Sequence, residues 1–118
     1  MKKILIIEND ADTNDLLSDI FRASGYIVVQ WIEYEAMHEI VELKPDLILI
    51  DYFLNGLLGS SICIVIKNNP LTKTIPVMLM SGIFDLEKIA RDSCADDFLI
   101  KPFDIVELQR KLKRVQIN

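Results

Sequence analysis

The stretch Asp46-Leu-Ile-Leu-Ile-Asp51-Tyr-Phe-Leu-Asn-Gly56 decides the fold, because four apolar residues stand between two carboxylates. Residues 47–50 include no polar side chain, so neither face of this segment can be turned to water. Such a short apolar run, followed by a turn with glycine, predicts a central parallel strand that is covered on both faces. Asp51 would then lie at the carboxyl end of the strand, where open α/β sheets bind ligands. An aspartate at a strand end is also a common turn starter, and for Asp51 taken alone both interpretations stay open.

Strand-like and helix-like segments alternate along the whole chain, as judged from helical periodicity, capping residues and runs of β-branched residues. The predicted strands are residues 4–7, 26–29, 47–50, 76–80 and 98–100. The predicted helices are residues 11–24, residues 34–43, a third capped by Ser60 or Ser61 that ends near Lys67, residues 86–93, and a fifth that Asp104 caps and that turns Ile105, Leu108, Leu112 and Val115 inward. This alternation predicts a doubly wound five-stranded parallel α/β sheet with right-handed crossovers and helices on both faces.

The composition is that of one ordinary domain with a real core, and we expect a single domain over residues 1–118. The net charge of −5 and the absence of a long basic run argue against direct nucleic-acid binding. The apolar run after Met1 ends at Glu8, which is too short for a signal peptide or a membrane span. We therefore expect a cytoplasmic protein without membrane contact.

The cysteines and the histidine carry no recognisable site. Cys63 and Cys94 lack the paired spacing of a zinc site or a redox dithiol, so we expect two buried reduced thiols. His38 lies in a helical pattern without a cysteine or second histidine nearby, which indicates a surface or half-buried side chain.

Polar residues follow four of the five predicted strands, and a parallel sheet would bring them to one edge. They are Glu8 and Asn9 after the first strand, Asp51 after the third, Ser81 after the fourth and Lys101 after the fifth. The set indicates phosphoryl transfer to a carboxylate, with an oxygen of Asp51 as the nucleophile. Because charge repulsion opposes such an attack, we expect Mg²⁺, or Mn²⁺ in its place, bound by Glu8, Asn9, Asp51 and the backbone carbonyl of Phe53. Lys101 would pair with one phosphoryl oxygen, and the Ser81 hydroxyl would donate to another. If Ser81 is considered without the other residues, it is interpreted as an ordinary strand-end hydroxyl, and Lys101 likewise as an ordinary solvated charge. Only their combined spacing indicates a shared function.

Four segments in this order and spacing carry a family resemblance that each of them alone would not. They are Ile4-Leu-Ile-Ile-Glu-Asn-Asp10, Asp46-Leu-Ile-Leu-Ile-Asp51, Ile75-Pro-Val-Met-Leu-Met-Ser81 and Ala95-Asp-Asp-Phe-Leu-Ile-Lys-Pro-Phe103. Through them the sequence resembles the receiver domains of two-component response regulators, over almost its whole length. The resemblance implies a flavodoxin-like fold in which the five predicted strands lie in the order 2-1-3-4-5.

The resemblance also implies a role for each site residue. The residue matching Asp51 accepts phosphate from a sensor histidine kinase or a phosphotransfer protein, and those matching Glu8 and Asn9 bind magnesium. The residues matching Ser81 and Lys101 sense the phosphate, and Phe98 matches an aromatic switch residue, although a phenylalanine in this strand can equally be plain core. Such a domain is a signalling phosphoacceptor and not a turnover enzyme. Its partners are a downstream effector protein and, through the fourth helix, fifth strand and fifth helix, a second copy.

Several positions depart from the family pattern. Asn9 stands where the family usually has a second carboxylate that contacts the metal, so magnesium binding should be weaker. The neighbouring Asp10 could compensate if the loop turned it inward, although it matches a family position outside the pocket. Cys94 replaces a usual glycine, and the loop Leu54-Asn55-Gly56 replaces one that usually carries proline.

Two other functions remain to be separated from phosphorylation-dependent signalling. The first is a receiver-like interaction module that no longer depends on phosphorylation, which the change at Asn9 and the altered loop suggest. The second is a flavin or dinucleotide enzyme on the same architecture, because fold does not fix function. The glycines of this chain form no G-x-G-x-x-G phosphate loop, which argues against the second.

Overall fold

The computed structural model describes residues 2–115. In it strands and helices alternate along the chain, as the sequence predicted. In chain order the elements are β1 (Lys3–Ile7), α1 (Ala11–Ala23), β2 (Ile27–Trp31), α2 (Met37–Leu43), β3 (Leu47–Asp51), β4 (Phe53–Leu54), β5 (Leu57–Leu58), α3 (Gly59–Asn68), β6 (Val77–Ser81), α4 (Leu86–Asp92), β7 (Asp97–Ile100) and α5 (Ile105–Arg114). The expected domain of residues 1–118 includes Met1 and residues 116–118, which lie outside the described residues.

All five long strands pair in parallel, in the order β2-β1-β3-β6-β7. Since β6 and β7 are the fourth and fifth predicted strands, this is the predicted order 2-1-3-4-5. The register places Asp51 beside Met80 and Ser81 beside Ile100. The carboxyl ends of β3, β6 and β7 therefore lie next to one another along one edge of the sheet.

The side chains of β3 alternate between two hydrophobic clusters, one on each face of the sheet. Ile48 and Ile50 pack in the cluster that α2, α3 and α4 cover, and Leu47 and Leu49 pack in the one that α1 and α5 cover. All four side chains have 0% of their surface exposed. This burial confirms the prediction of a central strand covered on both faces, and it fixes the position of Asp51 at the strand end.

A short antiparallel hairpin follows β3 and was not predicted. Strands β4 and β5 contain two residues each, and the turn between them places Asn55 and Gly56 at positive φ angles of 40° and 90°. Glycine and asparagine tolerate this conformation better than other residues do. Two-residue strands are too short to show a period in the sequence, so the hairpin had no hydrophobic signature.

The predicted start of the third helix is wrong. Helix α3 begins at Gly59, after Leu58 as the capping residue, and neither Ser60 nor Ser61 caps it. The backbone N–H of Gly59 instead donates to the carbonyl of Tyr52 at 2.7 Å. The helix start is therefore held by the chain that leaves β3.

Some predictions of helix ends and side-chain burial are wrong, because tertiary contacts determine these features more than the local sequence does. Helix α2 begins at Met37, three residues later than predicted, and Ile105 is exposed on α5 although it was expected to face inward. Cys63 is buried as expected, but Cys94 is exposed, with a φ of 63° in the turn after α4. The final helix does begin after Asp104, whose carboxylate accepts a hydrogen bond from the backbone N–H of Glu107 at 2.7 Å.

Candidate functional site

Two carboxylates and one ammonium group meet at the carboxyl edge of the sheet. Glu8 directly follows β1, Asp51 ends β3, and Lys101 directly follows β7. The Nζ of Lys101 forms an ion pair with Glu8 Oε1 and lies 3.5 Å from Asp51 Oδ1. Glu8 is fully buried and Asp51 nearly so, whereas the Lys101 side chain is 27% exposed. The three residues therefore form one pocket that opens to solvent on the lysine side.

The side-chain amide of Asn9 lies between the oxygens of this pocket and the β4–β5 hairpin. One of its two terminal atoms lies 3.1 Å from Glu8 Oε2, 3.1 Å from Asp51 Oδ2 and 3.3 Å from the backbone oxygen of Phe53. A nitrogen at that place donates to these oxygens, and an oxygen at that place completes a set of four oxygens. Such a set of carboxylate, amide and carbonyl oxygens is what Mg²⁺ prefers in proteins.

Ser81 lies at the same edge of the sheet but outside this cluster of contacts, and Phe98 lies nearer the start of β7. Ser81 ends β6 and is buried, and its hydroxyl accepts a hydrogen bond from the backbone N–H of Ile83 at 3.1 Å. Phe98 lies on β7, half-buried against the core, and the Nζ of Lys111 lies 4.1 Å from the centre of its ring. The structure thus brings Glu8, Asn9, Asp51, the carbonyl of Phe53 and Lys101 together, and it places Ser81 at the same edge of the sheet.

Comparison with known protein families shows which family the chain belongs to. The family model of the response regulator receiver domain matches residues 4–113. The chain belongs to the response regulator receiver family. The resemblance stated from the sequence and the flavodoxin-like fold of this receiver are confirmed. Receiver domains are signalling phosphoacceptors of two-component systems.

Relatives of this receiver include two transcriptional regulators. The DNA-binding dual master transcriptional regulator RpaA of Synechocystis sp. is 33% identical over 116 residues, which are 96% of this chain and 48% of that protein. The phosphate regulon transcriptional regulatory protein PhoB of Pseudomonas aeruginosa is 32% identical over 117 residues, which are 97% of this chain and 51% of that protein. The chain spans about half the length of the curated relatives it matches.

Solved structures show the same fold as this receiver. A two-component response regulator from Clostridium difficile superposes with a TM-score of 0.84 at 32% identity, covering 98% of this chain and 95% of that one. The response regulator TrrA from Thermotoga maritima, solved in complex with Mg²⁺ and BeF, superposes with a TM-score of 0.86, covering 98% of this chain and 99% of that one. At 22% identity, the similarity to TrrA shows the fold alone. No helix within residues 2–115 of this receiver has the length and apolar character needed to cross a bilayer.

Two residues of the receiver, Asn55 and Gly59, contact site residues although the sequence analysis assigned them no role in the site. Asn55 lies in the hairpin turn, with its Oδ1 3.4 Å from the Asn9 side-chain nitrogen. Gly59 packs so closely that an added Cβ would lie 2.2 Å from the backbone oxygen of Asp51. Asp10 is the N-cap of α1, and its carboxylate accepts from Thr13 and does not enter the pocket, as its family position implied. Only for Asp10 did the sequence carry a signal, because an aspartate three residues before a threonine at a helix start is a capping pattern.

The pocket changes the acidity of the residue at its centre. Burial raises the pKa of Asp51 from its ordinary 3.8 to about 7. This pKa already includes smaller increases from the hydrogen bond with Glu8 and from the Glu8 charge, and a decrease caused by Lys101. The environment of the pocket therefore disfavours the charged form of Asp51.

Replacing Asp51 by asparagine should stabilise the receiver near pH 8 but hardly change its stability near pH 4. Above about pH 7 the wild-type carboxylate is charged in the folded and the unfolded state, so its burial cost is fully present; below the unfolded pKa of 3.8 both states hold the proton and the cost is absent. Between these values wild-type stability falls as the pH rises. We expect a gain of about 2 kcal/mol near pH 8, measured by urea unfolding in EDTA.

The control for this prediction is Asp10→Asn. Hydrogen bonds from Thr13 lower the pKa of Asp10, so its carboxylate contributes stability above the unfolded pKa that is lost as the pH falls. Its replacement should therefore lower stability near neutral pH, the opposite sign to Asp51→Asn. An equal gain from Asp51→Asn at both pH values would show that burial of the charge is not the cause.

Proposed function

We propose that residues 1–118 are a single phosphoacceptor receiver domain of a two-component system. A sensor histidine kinase or a phosphotransfer protein delivers a phosphoryl group to Asp51, and the phosphorylated domain changes its affinity for a downstream effector. One observation carries this proposal: Glu8, Asn9, Asp51, the Phe53 carbonyl and Lys101 converge in one pocket at the carboxyl edge of the sheet.

The residues present fit a magnesium site, with Mn²⁺ as an alternative of similar ligand preference. Glu8 Oε2, Asp51 Oδ2 and the Phe53 carbonyl all face the same terminal atom of the Asn9 amide, so they face one small volume. Glu8, Asn9 and Asp51 would hold the ion together with that carbonyl. When bound, the ion supplies positive charge that offsets repulsion between the carboxylate and the incoming phosphoryl group.

The transfer step uses the carboxylate of Asp51 as the nucleophile. One Asp51 oxygen forms a bond to phosphorus while the bond from phosphorus to the donor nitrogen breaks, and the electron pair leaves with the histidine imidazole. The products are an acyl phosphate on Asp51 and a neutral imidazole, because a proton on the second ring nitrogen of the phosphohistidine offsets the charge of the leaving electron pair. The domain takes part once in each transfer, so it acts as a signalling phosphoacceptor and not as a turnover enzyme.

Lys101 and Ser81 are proposed to bind the transferred group. The Lys101 ammonium lies 3.5 Å from Asp51 Oδ1, so it can pair with a phosphoryl oxygen attached there after releasing Glu8. The Ser81 hydroxyl accepts from Ile83, which leaves its own proton free to donate to a second phosphoryl oxygen. Movement of the Ser81 hydroxyl would displace or break its hydrogen bond with the backbone N–H of Ile83. Because Ile83 lies in the loop before α4, the movement would be transmitted to that helix.

Phe98 and the surface around it are proposed as the responding face. The Phe98 ring packs half-buried beneath Lys111 of α5, and Ile100, Ile105 and Val106 expose apolar surface on β7 and α5. A ring that moves inward must leave the Lys111 ammonium, which couples the pocket to this face. We propose that a downstream effector protein, or a second copy of the chain, binds the face formed by α4, β7 and α5.

The phosphodonor is proposed to approach from the lysine side of the pocket. Thr13, Leu16, Pro102 and Phe103 border Lys101 there, and Leu16 is exposed on the first turns of α1. An apolar surface beside the open side of the pocket suits a protein donor that must exclude water during transfer. Nucleic acid and membrane surfaces are not proposed as partners of this domain, whose net charge is −5.

Phosphorylation can be tested with small-molecule donors. The protein is incubated with Mg²⁺ and acetyl phosphate or phosphoramidate, and its intact mass is measured with and without EDTA. We expect a gain of one phosphoryl mass that needs Mg²⁺, is labile to hydroxylamine and disappears in Asp51→Asn. No gain at any Mg²⁺ concentration, or an equal gain in Asp51→Asn, would contradict the proposal.

A receiver-like interaction module that works without phosphorylation is the second candidate. The neutral amide of Asn9 favours it, because the pocket offers two carboxylates and therefore less charge to attract a dication. Binding of the effector by wild type and Asp51→Asn separates the two candidates. Equal binding by both proteins, with and without acetyl phosphate, would favour the module.

A further inference from the structure

Helix α3 is apolar on the side that faces away from the sheet as well as on the side that faces the core. Ile62, Cys63 and Ile66 are buried in the cluster that α2, α3 and α4 cover, whereas Ile64 and Val65 between them are about half exposed. A helix that is hydrophobic all round is typically buried all round. The outward side of α3 therefore has the composition of a covered surface.

The outward residues of α3 form a continuous strip. Residues three and four positions apart on a helix are neighbours, so Ser61, Ile64, Val65 and Asn68 adjoin one another, and Leu58 precedes Ser61 at the same spacing. We call these five residues the α3 face. Five aliphatic side chains on the face or within three positions of it are 40–72% exposed, namely Leu57, Leu58, Ile64, Val65 and Leu71. In all they present roughly 400 Å² of apolar surface, which is comparable with the largest apolar patch on a typical monomer.

The α3 face carries no charged side chain. Residues 52–72 include a single charged residue, Lys67. Its ammonium pairs with Asp96 at 2.6 Å and donates to the carbonyl of Ile75 at 2.7 Å, and its side chain is only 13% exposed. The exposed side of α1, by contrast, includes Asp12 and Asp19. Because a solvated helix face normally carries such charges, the composition of α3 favours contact with a protein surface over contact with water.

The lack of charge favours a second copy of the chain as the partner of the α3 face. Each copy has a net charge of −5, so two copies repel, and the repulsion is least where the facing surfaces carry no charge. A twofold interface brings the same patch of both copies together, so a charge on that patch would face charges of its own sign. A different protein would instead be selected and oriented by complementary charges, and the α3 face offers none for that purpose.

We infer that the α3 face is a homodimer interface, in which α3 packs against α3 of a second copy about a twofold axis. Ile64 and Val65 lie at the middle of the face, so the axis passes near them and each side chain lies close to its own counterpart. The two helices then run antiparallel, with opposite ends of their dipoles side by side. The apolar patch is about half of the area that each copy buries in a standard stable interface, which predicts a weak and reversible dimer.

This interface goes beyond the proposed function and does not depend on it. Dimerisation through α3 needs neither Mg²⁺ nor phosphorylation of Asp51, and it uses none of the residues of α4, β7 and α5. Those elements carry exposed charges of both signs, among them Glu87, Arg91 and Arg114, which suit an effector protein better than a twofold contact. Failure of the α3 dimer would therefore leave the phosphoacceptor proposal standing.

Sedimentation equilibrium of the chain of residues 1–118 in EDTA, at about 5 to 500 µM to cover a micromolar Kd, tests the inference. We expect the wild type to dimerise as its concentration rises. Val65→Glu and Val65→Lys should each raise the Kd of the dimer more than about tenfold, because each places like charges together in an apolar interface. An equimolar mixture of the two variants should dimerise again, since glutamate then faces lysine across the axis. Each variant is checked for folding by its thermal unfolding midpoint.

Ile32→Glu is the matched control, because Ile32 follows β2, outside the α3 face, with an exposed fraction similar to that of Val65. It adds the same charge and should leave the dimer unchanged. A wild type that stays monomeric over the whole range overturns the inference, as do Val65 variants that dimerise like the wild type or whose mixture does not recover the dimer. A dimer that Ile32→Glu or Val106→Glu disrupts as strongly as Val65→Glu overturns it too, and in the case of Val106 the result places the second copy on α5.

Discussion

Asp97→Ala is expected to lower the free energy of unfolding by about 3 to 5 kcal/mol, because it leaves a buried ammonium without its partner. Asp97 begins β7 with its side chain 2% exposed, and its Oδ1 lies 3.0 Å from Lys111 Nζ, whose side chain is 5% exposed. The same oxygen accepts from the backbone N–H of Phe98 at 2.8 Å. The alanine variant loses both bonds and the pair of Asp97 Oδ2 with Arg114 Nε at 3.5 Å, while the Lys111 ammonium keeps its contact with the Phe98 ring. Urea unfolding at neutral pH measures the effect.

The adjacent Asp96 provides a matched control. Its carboxylate pairs with Lys67 at 2.6 Å, but its own side chain is 42% exposed, so solvent can replace the pair. Asp96→Ala should cost about 1 kcal/mol, which includes its hydrogen bond from the backbone N–H of Val77. The double variant Asp97→Ala with Lys111→Met should recover most of the loss, since no buried charge remains. If Asp96→Ala and Asp97→Ala lower the free energy of unfolding equally, burial of the pair with Lys111 does not increase the cost of removing its carboxylate.

Gly59→Ala is expected to destabilise the protein by about 3 kcal/mol and to weaken Mg²⁺ binding at the same time. A Cβ at this position would lie 2.2 Å from the backbone oxygen of Asp51, 3.0 Å from its carbonyl carbon and 3.2 Å from Tyr52 Cα. These are backbone atoms, so they cannot swing aside as a flexible side chain can. The start of α3 and the end of β3 must separate, which displaces the carboxylate at the centre of the pocket.

Gly82→Ala is the control for the same substitution at the same edge of the sheet. There an added Cβ would lie 3.4 Å from the backbone oxygen of Lys101, which is an ordinary contact. The structure gives neither Gly59 nor Gly82 a positive φ, so the two variants differ in space and not in backbone strain. We expect Gly82→Ala to change unfolding and Mg²⁺ affinity little. If Gly59→Ala behaves like it, the close approach of α3 to Asp51 does not hold the site together.

The parts of the structure that repeat along the sequence were predictable. The apolar run of residues 47–50 predicted a strand covered on both faces, and alternation with helices predicted the parallel sheet. From that topology it followed that Glu8 and Lys101, 93 residues apart, would meet. Hydrophobic patterning carries this information because burial acts on every strand in the same way.

Contacts between single side chains in irregular segments could not be predicted in the same way. The fifth strand was predicted to begin at residue 98, whereas Asp97 is the first residue of β7 and forms a buried ion pair. Nothing in the sequence near Asp97 indicates that a lysine 14 residues later lies against it. The contact of Asn9 with Asn55 depends likewise on a hairpin of two-residue strands that has no hydrophobic period. Such contacts depend on loop geometry, which the helix and strand periods do not determine.

The neutral amide at residue 9 also sets the electrostatic balance of the pocket. With Glu8 and Asp51 ionised and Lys101 protonated, the formal charge of the cluster is a single negative one. A dication would reverse this sign and leave a single positive charge, where a third carboxylate would have left the cluster neutral. The metal-loaded pocket should then attract anions more strongly than such a neutral cluster would. Compared with a pocket that has a third carboxylate, we therefore expect weaker binding of the ion and stronger binding of the phosphoryl group.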